Sequence, residues 1–275
     1  MRPQTTPPPT HVLTRDGSRL HAWLHGPADA PLVALTHGLS LDHRAFDQQV
    51  PALVAAGYRV LTWDVRGHGR SQPMGERMSL EAVAGDLLAL LEEVDTERAV
   101  LVGESFGGMA IQEALRRAPD RVVGLVVIGA PPLTSQPNVL LRGLQRLRIQ
   151  MIKLWPDRLL RRVFTSMVSR HPEVRRYVGE ATAQLPKRSF VAASAAAMQG
   201  HLETAPPLPP DVPLLLACGE REERPIARAM RAWADEQGGA RLVVVPDAGH
   251  LVNQEQPEDL NTALLDFLAA HHPAS

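Results

Sequence analysis

The segment Gly103-Glu104-Ser105-Phe106-Gly107 places a serine between two glycines at the end of an apolar stretch. Such a serine can be held on a sharp strand-to-helix turn, its hydroxyl exposed as a nucleophile. The five-residue pattern is weak by itself, since it arises by chance about once in ten chains of this length. Its setting strengthens it. Residues 99–102 read as a short buried strand and 108–118 as a helix. A side chain at either flanking glycine would crowd such a turn.

A serine hydroxyl is a poor nucleophile without a base. Of eleven histidines, His250 is best placed. It closes Asp247-Ala248-Gly249-His250, a loop between a strand at 242–245 and the last helix at 256–270. Open α/β sheets put reactive groups on such loops. His271 and His272 read as a solvated tail, and His68 as part of a glycine-bounded turn. An acid must fix the imidazole tautomer, and in elbow hydrolases it lies between the serine and the histidine. The strand at 122–128 ends in Gly129-Ala130-Pro131-Pro132, without a carboxylate. The strand at 214–218 ends in Gly219-Glu220-Arg221-Glu222-Glu223. Glu222 is the chosen acid, with Glu220 and Glu223 as alternatives. Acyl transfer also needs oxyanion donors. The backbone N–H groups of Phe106 and Leu39 are the candidates, with apolar side chains at the pocket mouth.

These residues need a scaffold. Strand patterns at 11–25 (broken by the turn Asp16-Gly17), 31–36 and 58–64 precede the elbow, with helix patterns at 42–56 and from Ser79 onward. Strands alternate with helices, which predicts a mostly parallel sheet covered on both faces. Residues 133–211 break that rhythm and read as helices only, near 139–154, 158–170, 172–185 and 189–202. An insertion this long needs structure of its own. The expected organisation is a leader at 1–10 without order, a core formed by 11–132 and 212–275, and a helical cap at 133–211. The cap arginines, among them Arg142, Arg148, Arg161 and Arg175, read as a solvated face. Trp155, Met151 and Met198 read as its core.

The chain of 275 residues is 44% hydrophobic and carries a formal charge of −1. That balance gives no reason to expect a nucleic-acid partner. No run of about 18 apolar residues occurs, so no membrane span is expected, and a cytoplasmic location is the default. Cys218, the single cysteine, reads as a small buried hydrophobe. No cofactor or metal is called for; the partner is a small acyl substrate, and a homo-oligomer is compatible with the sequence.

His37-Gly38-Leu39-Ser40, Asp64-Val65-Arg66-Gly67-His68-Gly69, the Ser105 elbow, the Glu222 turn and Ala248-Gly249-His250 together resemble the α/β-hydrolase family, in its capped branch of esterases and lactonases. The resemblance runs from about residue 12 to 270. It implies an eight-stranded sheet and Ser–acid–His catalysis without a cofactor. Glu222 departs from the aspartate usual at that position. Ser105 disfavours the relatives with an aspartate nucleophile, the haloalkane dehalogenases and epoxide hydrolases. The expected function is hydrolysis of a small or medium ester, lactone or thioester, with activity rising through about pH 6.5 as the base deprotonates. Carbon–carbon bond hydrolysis by the same triad and non-catalytic ligand binding are the alternatives.

Overall fold

The computed structural model describes residues 9–133, 139–200, 208–209, 211–238 and 240–274. Its framework is one sheet of eight strands in the order β1-β2-β4-β3-β5-β6-β7-β8. The strands are β1 (His11–Arg15), β2 (Ser18–His25), β3 (Leu32–Thr36), β4 (Arg59–Trp63), β5 (Ala99–Glu104), β6 (Val122–Ile128), β7 (Leu214–Gly219) and β8 (Arg241–Val245). β1 and β2 form a hairpin in which Arg15 faces Ser18. Asp16 and Gly17 both take positive φ, at 46° and 73°, as a two-residue turn of right-handed strand twist requires. β2 pairs antiparallel with β4, and every later pairing is parallel. β3, β5 and β7 are buried throughout, the pattern of strands covered on both faces.

The described α-helices are α1 (Gln49–Ala55), α2 (Leu80–Glu93), α3 (Phe106–Arg117), α4 (Val139–Leu154), α5 (Asp157–Val168), α6 (Pro172–Gln184), α7 (Lys187–Gly200), α8 (Arg224–Glu236), α9 (Val252–Glu255) and α10 (Pro257–His271). Ser79 caps α2 through an acceptor bond from the Ala82 N–H. One large apolar cluster, with Leu87, Leu101 and Phe106, fills one face of the sheet. A second, with Val33, Val102 and Leu264, fills the other. Cys218 is buried in the first cluster, and burial pushes its thiol pKa up. No described helix is long and apolar enough to cross a membrane.

The inserted helices α4–α7 lie between β6 and β7, where the sequence pattern puts them. α5 packs on α6, α4 on α7, and α7 on α2 and α3. Leu160, Leu185 and Phe190 form a small core of their own. Two expectations change. The helix expected at 42–56 is two pieces, a short 3-10 turn (His43–Phe46) and α1. Pro51 has no N–H to give the Asp47 carbonyl, so a continuous helix would break there. At the start, residues 1–8 lie outside the described residues. Thr10 is ordered: its N–H donates to Ala22 O at 2.9 Å, and its hydroxyl accepts from Leu24 N–H at 2.9 Å. Among the inserted helices, α4 ends at its expected C-terminal limit, and α5 and α6 end within two residues of theirs.

The Asp64-to-Ser71 segment is scaffold. Arg66 is fully buried and binds Asp86 through two bonds, at 2.6 and 2.5 Å, and donates to Arg77 O at 2.8 Å. Asp86→Asn would leave that buried guanidinium with only the exposed Asp16 carboxylate, 3.4 Å from its Nη2, as counter-charge. The expected loss is about 3–5 kcal/mol of unfolding free energy. Chemical denaturation measures it, and a loss under about 1 kcal/mol would show that this pair does not hold the turn.

Candidate active site

β5 delivers Ser105 at the centre of the sheet, between β3 and β6. Ser105 sits at φ 50°, ψ −113° and precedes the first residue of α3. A non-glycine residue holds that backbone only where its surroundings enforce it. Here the Ser105 N–H donates to Ile128 O at 2.8 Å. The bend also has no room to relax: a Cβ at Gly103 would strike the Gly107 carbonyl, and one at Gly107 the Thr36 carbonyl.

The His250 ring meets the serine: Nε2 lies 3.0 Å from Ser105 Oγ. Its Nδ1 lies 2.9 and 3.1 Å from the Glu222 carboxylate oxygens. With Nδ1 as the donor to Glu222, Nε2 is left to accept the serine proton. Two loops are stitched together to hold this pair. Glu220 N–H donates to Val245 O and Arg221 N–H to Ala248 O, each at 2.9 Å, and the Arg221 side chain pairs with Asp247. Gly249 N–H donates to Glu255 Oε2 at 2.6 Å.

Of the three glutamates left open by the sequence, Glu222 faces the imidazole. Its N–H closes a turn onto Gly219 O at 3.1 Å, and its Oε1 also accepts from Glu223 N–H at 2.8 Å. Glu220 instead accepts the Asp247 N–H at 3.2 Å, and Glu223 is the residue before α8. Burial pulls the His250 pKa down, but the Glu222 hydrogen bond and the charges of Glu222 and Glu104 outweigh it and raise it to about 9. That lies above the pH 6.5 expected from an ordinary imidazole.

The oxyanion candidates divide between side chain and backbone. Phe106 is the first residue of α3, so its N–H has no partner inside the helix. Its ring is 1% exposed and sits in the core, not at the pocket mouth as expected. Leu39 does line the pocket, beside Ser105. The loop that carries it is braced by His37, a residue the sequence analysis left without a role. His37 Nε2 accepts the Val65 N–H at 3.0 Å, which leaves Nδ1 to donate to Gly38 O at 2.8 Å.

Ser105 and His250 open into a cavity of about 640 Å³. Its walls come largely from the inserted helices, with Ile152, Leu160, Phe164 and Phe190 among them. Trp155, Met151 and Met198, expected as packing residues, line it too. Their amphipathic pattern is the same for a core and for an apolar cavity wall. Arg148 reaches the cavity rim, Arg175 is exposed, and Arg161 binds Asp157 and the Leu185 carbonyl.

The profile of the alpha/beta hydrolase family matches residues 33–263. The chain belongs to the alpha/beta hydrolase family. Among curated relatives of this α/β hydrolase, the dihydrolipoyllysine-residue acetyltransferase component of the acetoin cleaving system of Pseudomonas putida is 31% identical over 93% of this chain and 68% of its own. Several other curated relatives match over less than half of their length, from 23% to 45%. A hydrolase structure from Pseudomonas aeruginosa PA01 superposes with a TM-score of 0.81 at 27% identity, covering 94% of this chain and 97% of that one. A thermophilic esterase from Thermogutta terrifontis, with malate bound, superposes with a TM-score of 0.77 at 26% identity, over 92% and 94% of the two chains.

Proposed function

We propose that this α/β hydrolase is a serine esterase that cleaves small to medium carboxylic esters, including lactones and thioesters, through a Ser105–His250–Glu222 triad. The observation that carries this reading is the unbroken line Ser105 Oγ–His250 Nε2–His250 Nδ1–Glu222 at 3.0 and 2.9 Å. His250 takes the Ser105 proton as Oγ bonds to the acyl carbon. The N–H groups of Leu39 and Phe106 hold the oxyanion. When the tetrahedral centre collapses, the bond to the alkoxide breaks and His250 returns the proton to the departing alcohol. Water, deprotonated by His250 in turn, then releases the acid from Ser105.

The inserted helices act as the cap over this site, and their apolar walls set chain-length preference. A p-nitrophenyl hexanoate carries four more methylenes than the acetate. At about 0.8 kcal/mol for each buried methylene, kcat/KM should rise at least about tenfold from acetate to hexanoate. A steady-state series of p-nitrophenyl esters tests both points. No turnover of any ester, with no fluorophosphonate adduct on Ser105, would overturn the esterase reading. A profile falling from acetate onward would overturn the role given to the cavity. The Thermogutta relative, described as an esterase, supports the same class. The curated epoxide hydrolase relatives match under half of this chain, and a serine at the elbow fits acyl transfer.

A further inference from the structure

Glu104, the last residue of β5, is a second carboxyl at the imidazole. It is 1% exposed, and neither of its oxygens meets hydrogen-bond geometry with any donor among the described residues. Its Oε1 lies 3.5 Å from His250 Nε2, the nitrogen that also faces Ser105. The loop after β3 closes over it so tightly that a Cβ at Gly38 would strike the Glu104 carboxyl. A buried carboxyl without hydrogen bonds is expensive, and a fold keeps one where it has a task.

We propose that Glu104 is a positioning residue for His250, acting on Nε2 while Glu222 acts on Nδ1. The proposal rests on the esterase reading only for its rate consequences. When Ser105 gives up its proton, Nε2 becomes a cationic N–H, and a carboxylate beside it favours that ion. The same charge makes the resting imidazole hold a proton to higher pH, where it cannot act as a base. Glu104 therefore makes His250 a stronger base and moves its working range upward.

The groups facing Glu104 are His250 and Glu222 from the two stitched loops and the Gly38 amide from the β3 loop. Burial raises the Glu104 pKa, the His250 charge lowers it, and the Glu222 charge raises it. The Gly38 amide dipole lowers it slightly, though it closes no bond of ordinary geometry. The net effect lifts Glu104 to about 7. That lies below the His250 pKa of about 9, so Glu104 carries its charge over the pH range in which His250 loses its proton.

The variant Glu104→Gln keeps the shape and removes the charge. Activity should rise with pH as His250 loses its proton, and in the wild type this acid limb should lie above pH 7. In Glu104→Gln the limb should fall by about one unit, as expected for loss of a charge at this range. Plateau kcat should fall about tenfold. Glu104→Asp, which restores the charge, should bring the limb back toward the wild type. The His250 ring proton, followed by NMR and assigned by its absence in His250→Gln, reports the same titration without turnover. If no ester is turned over, the esterase reading fails, and this titration still tests Glu104. A His250 titration identical in wild type and Glu104→Gln would overturn the proposal, as would superimposable pH–rate profiles.

Discussion

Ser105→Ala is expected to abolish nearly all esterase turnover, lowering kcat by on the order of 10⁴-fold or more with the fold unchanged. The change removes one oxygen from a side chain that opens into the cavity, so it disturbs little packing. What it removes is the oxygen positioned 3.0 Å from His250 Nε2. Residual catalysis would come from the oxyanion donors and from binding. Intact-mass analysis after a fluorophosphonate gives a second readout. Ser105 Oγ forms the bond to phosphorus, fluoride leaves, and His250 receives the proton. Wild type should gain one adduct and Ser105→Ala none. Equal turnover by the two proteins would remove Ser105 as nucleophile.

Glu222→Gln should cost nearly as much, on the order of 10⁴-fold in kcat, for a different reason. The Glu222 carboxylate accepts the Nδ1–H of His250. An amide there can present its own N–H, which stabilises the tautomer with the proton on Nε2. That tautomer faces Ser105 with a donor where an acceptor is needed. The side chain is fully buried, so water cannot replace the lost charge. Glu220→Gln, on the outer side of the same turn, should stay within about threefold of wild type. If Glu222→Gln kept more than a tenth of the wild-type kcat, another carboxylate would be the triad acid.

The elbow and His250 were legible because strand, glycines and loop each leave a local mark in the sequence. The choice among three adjacent glutamates was less so. All three lie within four residues, and only the turn from Glu222 N–H to Gly219 O decides which points inward. Glu104 carried no signal at all. Its position is one the Gly-x-Ser-x-Gly pattern leaves unspecified, and its burial depends on a loop from β3, some sixty-five residues earlier. The same holds for Met151, Trp155 and Met198. Helical periodicity marks an apolar face, but not whether that face meets another side chain or a cavity. Pro51 could have divided the helix expected at 42–56, since a missing N–H is visible in the sequence.

The serine and the histidine stand on very different ground in the sheet. β5 is paired on both sides and buried along its length, whereas β8 is the last strand in the order, and most of its residues reach solvent. Backbone opening is cheapest at such a margin. Amide exchange should therefore be faster along β8 and the His250 loop than along β5. Ser105 is carried by a strand paired on both sides and buried along its length, and His250 hangs from a part that can fray. Inactivation can then run ahead of global unfolding, and a substrate or inhibitor that bridges Ser105 and His250 would close that gap by holding the margin in place.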